Sequence, residues 1–274
     1  MPELPDVEYM LRRLTLRILS KRIERVDIVD PNFVGFGSAG AHSRIKNTVI
    51  TDVQRRGKFL VLFLDSGYIL IFHMGMTGAI YLAAQTDVVE KWVRLRLAVE
   101  GRQEIRYRTV RKLGRIELAK GCDLDSIKIL ASLGVEPLSP ACSPDFLQAL
   151  AGAYRGTVKS LLTAQHKIAG IGNIYSDEIL FHARVHPATQ AGRLSEGQIT
   201  RIHTVMGEVL REAARDLETL NLRRSWLLNY RSEADRCPRC RGRVRRIQIV
   251  GRSSYFCPRC QSPSGQRSAR VRLV

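Results

Sequence analysis

Four cysteines between residues 237 and 260 constrain the fold of this chain more than any other feature. They form two C-P-R-C pairs with residues 241–256 between them: Cys237, Cys240, Cys257 and Cys260. Each pair can form a turn that brings two sulfurs to one metal ion, and the spacer is long enough for a β-hairpin. The spacing therefore predicts one structural Zn²⁺ held by four thiolates. Two disulfides are the alternative, which reducing intracellular conditions disfavour. Cys122 and Cys142 lack such spacing, and we predict that both are packing residues.

The charge of the chain indicates the class of its partner. It has 44 Lys and Arg against 26 Asp and Glu, a net charge of +18 and a pI near 10.2. Arginine dominates and is spread over the whole length. Such an excess favours a polyanion, with nucleic acid ahead of a membrane surface, and is too large for solubility alone. No apolar run reaches transmembrane length and no signal-peptide core is present. We therefore expect a soluble, cytoplasmic protein associated with the nucleoid, without a membrane partner.

The first residues, M-P-E-L-P-D-V-E, suggest a nucleophile. Removal of Met1 would give Pro2 a free secondary amine, with the carboxylate of Glu3 beside it. Such an amine can attack a carbonyl or sugar carbon and become an iminium, while Glu3 moves the accompanying proton. The positive end of a following helix would lower the proton affinity of the amine and keep it nucleophilic. The alternative is an ordinary terminus that opens an amphipathic helix.

The first 120 residues have the pattern of a β-sandwich with one leading helix. Pro5 and Asp6 predict the start of a helix that ends near Ser20. From Thr48 to Leu118 short strands follow one another, with turns at Asp65-Ser66-Gly67 and Glu100-Gly101. The strands whose ends the pattern defines are 22–29, 58–64, 68–73, 93–99 and 105–109. Regularly spaced short strands predict a sandwich on which the first helix packs.

Beyond Gly121 the apolar period becomes helical. Ser143-Pro144 is a typical helix start, and Ser195 with Gln198 forms a capping box for the longest helix. Further helices are predicted over 157–164, 173–184 and 195–217, followed by a basic connector and a loose tail from Gln261. The chain is therefore predicted to be α+β, with domains at 2–120, 121–222 and 223–274.

Two glycine-containing loops suggest nucleic-acid contacts. In Gly170-Ile171-Gly172-Asn173 the glycines let backbone N–H groups approach a phosphate, and Asn173 opens a helix whose N-terminus favours negative charge. A tight helical hairpin explains the same stretch equally well. In His73-Met74-Gly75-Met76-Thr77-Gly78 an exposed methionine could wedge into a base stack, although methionine is more often a core residue.

The chain resembles formamidopyrimidine-DNA glycosylase and its relative endonuclease VIII along its whole length. Six stretches carry the resemblance: P-E-L-P-D-V-E at the start, R-R-G-K-F-L at 55–60, H-M-G-M-T-G at 73–78, L-G-V-E-P-L at 133–138, G-I-G-N-I-Y at 170–175 and the paired C-P-R-C. The P-E-L-P opening is more similar to the formamidopyrimidine branch. The resemblance implies a helix–two-turn–helix domain in the middle of the chain and a monomer that acts on double-stranded DNA with a damaged or abasic nucleotide.

The resemblance also implies a reaction and a role for each matching residue. Pro2 would attack the sugar of a flipped damaged nucleotide, with β- and δ-elimination following, and Glu3 would be the acid/base carboxylate. Lys58 would contact the phosphate at the damaged site, although a solvated surface lysine is the alternative. The residues implied to contact DNA elsewhere are Met76, Arg111 and Leu113, which fill the gap left by the flipped base, and Asn173 and Arg252, which bind phosphates. Zinc would be structural, since four thiolates leave no open position for water.

Some residues depart from the family pattern. The usual D-P-R-R-F-G has become T-V-R-K-L-G, so Leu113 stands where a phenylalanine would stack beside the orphaned base. Asp6 replaces a more common glutamate. The segment from Leu220 to Cys237 is short and lacks the family's recognisable V-Y-G-R. These departures leave the lesion, purine or pyrimidine, open.

Three functions compete. A bifunctional DNA glycosylase/AP lyase explains every motif. A paralogue that binds lesions or DNA structure without cutting has no reason to keep Pro2 followed by Glu3. A zinc-ribbon protein bound to ribosomal RNA fits the charge and the cysteines but does not need P-E-L-P.

Overall fold

The structure is a computed structural model, and it describes residues 2–30, 40–121, 123–219 and 223–262. Two compact units divide the chain, Met1–Leu133 and Gly134–Val274. The predicted division into 2–120, 121–222 and 223–274 stays a prediction. Cys122, most of the loop predicted after residue 30 and most of the predicted tail lie outside the described residues.

The first unit is a sandwich of two antiparallel four-stranded sheets. One sheet has the order β1-β6-β7-β5, and the other has the order β2-β3-β4-β8. The strands are β1 (Ile23–Ile28), β2 (Ile50–Arg56), β3 (Phe59–Leu64), β4 (Tyr68–His73), β5 (Ala79–Ala84), β6 (Val93–Val99), β7 (Gln103–Arg108) and β8 (Arg115–Lys120). The predicted β-sandwich is confirmed.

Strand β3 is apolar throughout because both of its faces are covered. Leu60, Leu62 and Leu64 lie in the core between the two sheets. Phe59 and Val61 point the other way and pack on a second cluster that includes Leu130 of the short helix α3 (Lys128–Ala131). A strand buried on both sides loses the polar alternation of a half-exposed one. The sequence of β3, F-L-V-L-F-L, is therefore that of a strand covered on both faces.

Helix α1 (Leu4–Ile18) closes the sandwich core. Val7, Leu14 and Ile18 recur at helical spacing and are buried in that core. The helix starts one residue before the predicted Pro5 and ends two before the predicted Ser20. Pro2 and Glu3 directly precede Leu4, so packing of this helix also fixes their position.

The second unit begins with four helices. They are α4 (Pro144–Ala153), α5 (Val158–Thr163), α6 (Asn173–His182) and α7 (Glu196–Thr219). Ser143 caps α4 by accepting a hydrogen bond from Phe146 N at 3.1 Å. Ser195 and Gln198 form the predicted capping box: Gln198 N donates to Ser195 Oγ at 3.3 Å and Ser195 N donates to Gln198 Oε1 at 2.9 Å. A turn at 165–167 and a bend at 169–170 join α5 to α6, in the place where the helix–two-turn–helix element is expected.

A two-stranded hairpin ends the described chain. Its strands are β9 (Arg245–Ile249) and β10 (Arg252–Phe256). Cys237, Val244 and Cys257 bury their side chains against Phe181 of α6 and Leu227 of the connector. The predicted α+β class is confirmed. The sandwich, the helices and the hairpin between the two cysteine pairs follow one another in the expected order.

Three local expectations were wrong. Helix α2 (Ala41–Ile45) and helix α3 were missed because both are too short to show a helical period. Strand β3 begins at Phe59, so Lys58 lies in the two-residue turn Gly57-Lys58 rather than on the predicted strand. The turn depends on Gly57, whose φ is +55°.

None of the helices in the part of the chain that the structure describes combines the length and the apolar character needed to cross a membrane.

Candidate active site and nucleic-acid interface

Glu3 is held at the start of α1 by the first turn of the helix. Glu3 N donates to Asp6 Oδ2 at 2.8 Å, which is half of a capping box. The Glu3 side chain is completely buried, whereas Pro2 is partly exposed. A carboxylate without solvent access keeps one orientation, so Glu3 is preorganised next to the residue that would carry the nucleophile.

The opposite wall of this site is the β2–β3 turn. Arg55 Nε donates to Glu8 Oε2 at 2.9 Å and ties the end of β2 to α1. Burial opposes ionisation of Glu8, but hydrogen bonds from Arg55 and Arg12 outweigh it and lower its pKa. The adjacent turn buries Lys58, whose side chain is 8% exposed. Lys58 is therefore not the solvated surface lysine that was the alternative, and its contact with a phosphate stays a prediction.

The charge of Lys58 acts on two neighbouring titratable groups. Burial raises the pKa of Asp6, while the Glu3 amide and the Lys58 ammonium oppose this shift. Burial first, and then the charges of Lys58 and Arg115, lower the pKa of His73 to about 4. His73 is therefore neutral at pH 7. Its Nδ1 accepts a hydrogen bond from Gly75 N at 3.3 Å.

The structure brings the predicted gap-filling residues together in two adjacent loops. Thr77 Oγ1 accepts hydrogen bonds from Val110 N at 3.2 Å and Arg111 N at 3.1 Å. Arg111 Nη1 lies 3.7 Å from Met76 Sδ. Met76 and Leu113 are 40% and 57% exposed, which is unusual for large apolar side chains. We call this set, Met76, Arg111 and Leu113, the loop triad.

A close backbone approach at Gly75 and an ion pair of Lys112 hold the loops of the triad in place. Gly75 has φ +59°, and a Cβ there would lie 2.4 Å from the backbone carbonyl of Leu113. Only glycine allows this approach of the two loops. Lys112 has φ +52°, and its Nζ lies 2.6 Å from Asp30 Oδ2. The side chains of the triad are thus exposed while their backbone is fixed.

In the second unit, Asn173 stands at the first turn of α6 as expected. Gln165 holds the preceding loop, since its Nε2 donates to Ile171 O at 2.7 Å and its Oε1 accepts from Gly170 N at 3.0 Å. Asn173 Oδ1 is buried and lacks a hydrogen-bond partner among the described residues. A buried acceptor without a partner is rare unless a ligand or water completes it.

Arg252 begins β10 and is exposed. It lines a cavity of about 220 Å³ with Tyr154, Lys159 and Thr163. Lys159 Nζ in turn donates to Asn173 O at 3.3 Å. Lys159 therefore connects the cavity that Arg252 lines to the start of α6, where Asn173 lies. The hairpin turn before Arg252 consists of Val250 (φ +46°) and Gly251 (φ +71°), and Val250 is 82% exposed.

The four cysteines fit a tetrahedral metal ion. Their sulfurs all lie within 4.8 Å of one another. Cys237 Sγ lies 3.8 Å from Cys260 Sγ, and Cys240 Sγ lies 3.5 Å from Cys257 Sγ. Zinc–sulfur bonds of about 2.3 Å in a tetrahedron place sulfurs about 3.8 Å apart, so the cluster matches a four-thiolate site. All four are free thiols, and Cys142 is buried as a packing residue.

Comparison with known proteins decides the family. Three family models match in order: the formamidopyrimidine-DNA glycosylase N-terminal domain over residues 1–116, the formamidopyrimidine-DNA glycosylase H2TH domain over 133–223, and the zinc finger found in FPG and IleRS over 234–263. The formamidopyrimidine-DNA glycosylase of Geobacillus kaustophilus is 35% identical, over 95% of this chain and 100% of that protein. The chain belongs to the formamidopyrimidine-DNA glycosylase family. The member from Symbiobacterium thermophilum is 34% identical, over 95% of this chain and 89% of its own.

Solved structures of the family have the same fold. A complex of Lactococcus lactis Fpg with DNA containing an abasic site has a TM-score of 0.85 and 28% identity, covering 95% of this chain and 99% of that one. The same Lactococcus protein bound to DNA with an oxidised pyrimidine has a TM-score of 0.85 and 27% identity, covering 95% and 100%. The predicted resemblance and the predicted class of enzyme, a DNA glycosylase of base-excision repair, are confirmed.

Sequence reasoning missed three residues that the geometry places in these regions. His73 opens the H-M-G-M-T-G motif at 73–78, but the sequence does not show that its burial and the nearby charge of Lys58 keep it neutral. Asp177 and Glu178 are completely or almost completely buried on α6. The sequence did contain a signal for them. Two adjacent acidic residues directly precede the apolar run Ile179-Leu180-Phe181, and acidic side chains are rarely buried without partners.

Proposed function

We propose that this chain excises oxidised bases from double-stranded DNA and then cleaves the strand, with Pro2 as the nucleophile. The observation that carries the proposal is the complete burial of Glu3 beside Pro2, with the Lys58 ammonium close to the same helix turn. A fixed carboxylate and a fixed ammonium suit proton transfer and phosphate binding at one sugar. The Lactococcus relatives bound to abasic and lesion-containing DNA support the same substrate.

The Pro2 nitrogen forms a bond to C1′ of the flipped nucleotide as the bond from C1′ to the base breaks, and the departing base takes a proton from solvent. Glu3 accepts the proton that the Pro2 nitrogen loses and gives it to O4′ as the bond from C1′ to O4′ breaks. The opened sugar is then joined to Pro2 as an iminium. The iminium then withdraws electrons as a C2′ proton is lost and the 3′ phosphate leaves, which is β-elimination. Loss of the 5′ phosphate by δ-elimination follows.

Contacts outside the sugar site divide between the two regions already described. The loop triad fills the space left by the flipped base, with Leu113 as a wedge that stacks less well than an aromatic ring. Asn173 and Arg252 bind backbone phosphates, which positions the duplex without reading its sequence. We propose that the protein acts as a monomer in the cytoplasm, at the nucleoid.

The test of the nucleophile is covalent trapping. Borohydride reduces an iminium to a stable amine, so wild-type protein without Met1 should become bonded to DNA that contains an abasic site. Protein that retains Met1 is the matched control, since it keeps every side chain but holds the Pro2 nitrogen in a peptide bond and places its terminal amine one residue earlier. We expect no trapping with Met1 retained and weaker trapping with Pro2→Gly. Lesion-selective binding without trapping by the processed protein would instead support the non-cleaving paralogue.

We propose that the metal is zinc and that it is structural. The zinc finger match and the four-sulfur cluster support this assignment. Four thiolates leave no position for water, so the ion stabilises the hairpin and takes no part in the chemistry. Elemental analysis should find one zinc per chain, and Cys237→Ser should lose zinc and DNA binding together. DNA binding that survives both chelation and Cys237→Ser would contradict this role.

A further inference from the structure

Asp177 is a buried carboxylate at the centre of the second unit. It lies on α6, and four donors converge on it from three different parts of that unit. Oδ1 accepts from the Lys159 ammonium of α5 and from Ser254 Oγ at 2.6 Å. Oδ2 accepts from Arg231 Nη1 at 2.8 Å and from Tyr255 N at 3.0 Å. Both oxygens are thus fully used, although the side chain is only 1% exposed.

These contacts need a carboxylate rather than an amide. All four partners are donors, and both Lys159 and Arg231 carry a positive charge. An asparagine would direct an NH₂ group at two of them, and it would leave the buried Lys159 without its counter-charge. Removal of one partner of a buried ion pair costs far more than the pair itself contributes.

Two of the four donors belong to the outer edge of β10. Ser254 and Tyr255 stand two and three residues after Arg252 on the same short strand. Strand β9 pairs with the opposite edge, so Asp177 satisfies a backbone N–H that a further strand would otherwise take. The carboxylate therefore fixes the strand that carries Arg252 against α6.

The same carboxylate lies one helical turn from Asn173. Residues four apart on a helix lie on one face, so Asp177 follows Asn173 along α6. Lys159 connects them a second time, because its Nζ contacts both Asp177 and Asn173 O. Asn173 and Arg252 are thereby held on a common support, although they are far apart in sequence.

We infer that Asp177 is a positioning residue that fixes the spacing of Asn173 and Arg252, so that both can bind the DNA backbone at the same time. This inference rests on the proposed function, because it takes these two residues as phosphate contacts. It assigns Asp177 no contact with DNA. Asn173 lies on the same helix as Asp177, whereas Arg252 lies on the strand that the carboxylate holds against this helix. Loss of the carboxylate should therefore displace Arg252, and its effect on DNA binding should act through that residue.

A double-mutant cycle tests this dependence. Wild type, Asp177→Asn, Arg252→Ala and the double variant are titrated with a duplex that contains a non-reactive abasic analogue, over a range of salt concentrations. Asp216→Asn is the matched control, because Asp216 pairs with Arg223 at 2.6 Å in the same unit without touching β10. Zinc content and thermal unfolding are measured for every variant.

We expect Asp177→Asn to weaken binding about tenfold and to reduce the slope of log Kd against log salt by about 1, as loss of one phosphate contact does. In the Arg252→Ala background the same substitution should have almost no further effect. Asp216→Asn should bind as wild type. An undiminished effect of Asp177→Asn in the Arg252→Ala background would overturn the inference, and so would wild-type binding by Asp177→Asn.

A milder variant decides the matter if Asp177→Asn loses zinc or unfolds. Ser254→Ala removes one hydrogen bond and keeps the pair between Lys159 and Asp177. It should weaken binding about threefold, again only when Arg252 is present; an equal effect in both backgrounds overturns the inference. Borohydride trapping of the wild type is measured separately. Its failure would count against Pro2 as the nucleophile and would leave the result of the cycle readable.

Discussion

The proposed catalytic residues, Glu3 and Lys58, and the loop triad occupy the same unit but differ in how they are held. Glu3 and Lys58 are buried, and core packing of α1 and β3 fixes them. Met76 and Leu113 project into solvent and depend on backbone contacts between two loops. A group that moves protons must keep its geometry before substrate arrives, whereas a side chain that enters a base stack must be free to do so. Within one sandwich, the residues proposed for proton transfer and phosphate binding are therefore fixed by the core, and those proposed to enter the base stack are not.

His73 links the two regions. Its ring lies 4.8 Å from that of Phe59, which follows Lys58, and its Nδ1 accepts from Gly75 of the triad loop. Tyr107 Oη also donates to His73 O at 3.0 Å. Substitutions at this junction should therefore affect both regions, and substitutions on either side should affect only one.

The largest effect should follow from Glu3→Gln, which changes the proposed catalytic site and leaves the loop triad intact. Loss of the acid/base carboxylate should slow base excision by about 10²–10⁴-fold. Trapping on a preformed abasic site should fall less, since the base is already absent. Single-turnover kinetics on both substrates measure the two effects. Glu24→Gln, at an exposed site on β1, is the control and should excise at the wild-type rate; equal losses on both substrates would contradict the assigned role.

The second-largest effect should follow from Gly75→Ala, which separates the two loops that carry the loop triad. A Cβ at Gly75 would meet the Leu113 backbone at 2.4 Å, and its φ of +59° is unfavourable for alanine. We expect a loss of about 3 kcal/mol in the free energy of unfolding, combining strain and displacement of the loop. Gly67→Ala is a matched control, because φ there is +73° but nothing lies within 4 Å. Chemical denaturation measures both variants, and similar losses would show that the loop contact contributes nothing.

The third-largest effect should be a loss of folding stability at acid pH, caused by His73. His73 has a pKa of about 4 in the folded chain, because of burial and then the charges of Lys58 and Arg115, against 6.5 ordinarily. Above pH 6.5 it is neutral in both states and its contribution is complete. As the pH falls from 6.5 towards 4, the unfolded chain takes up a proton that the folded chain refuses, so stability is lost.

The expected loss across this window is about 2 kcal/mol, after allowance for partial exposure. Denaturation of the wild type and of His73→Gln at pH 7.5 and pH 4.5 isolates the contribution of His73. The difference between the two proteins should change with pH. A constant difference would mean that His73 titrates normally.

The smallest effect should come from Leu113→Phe, which sharpens the recognition side without touching the catalytic one. An aromatic ring can stack beside the orphaned base, so affinity for a duplex with an abasic analogue should rise by about 1 kcal/mol. Folding stability should stay unchanged at this exposed site. Val110→Phe places the same ring in the same loop at a different position. Equal gains from both variants would attribute the effect to added apolar area rather than to stacking.

Local signals in the sequence were sufficient where one residue type had one physical reason to be present. The cysteine pairs predicted the metal cluster, and Ser195 with Gln198 predicted the start of α7. The strands were predicted from alternation and from turns. Short helices such as α3 escaped because fewer than two turns carry no period.

The site was predictable only in part, since burial and long-range contacts decide the rest. Pro2, Glu3 and Lys58 came from motifs, and their roles stay predictions. The neutrality of His73 and the convergence of donors on Asp177 depend on residues distant in sequence, such as Ser254. No local pattern contains that information.

The turn Val250-Gly251 has a consequence for which residue can stand at the tip of the hairpin. Both residues have positive φ, a conformation in which Asn-Gly is preferred and a β-branched residue is unfavourable by about 1–2 kcal/mol. The thiolate cluster at the base and the Asp177 contact along β10 let the hairpin tolerate this cost. The identity of the residue at the tip is therefore not set by folding of the hairpin, since Val250 is 82% exposed and occupies a conformation that other residues adopt at lower cost.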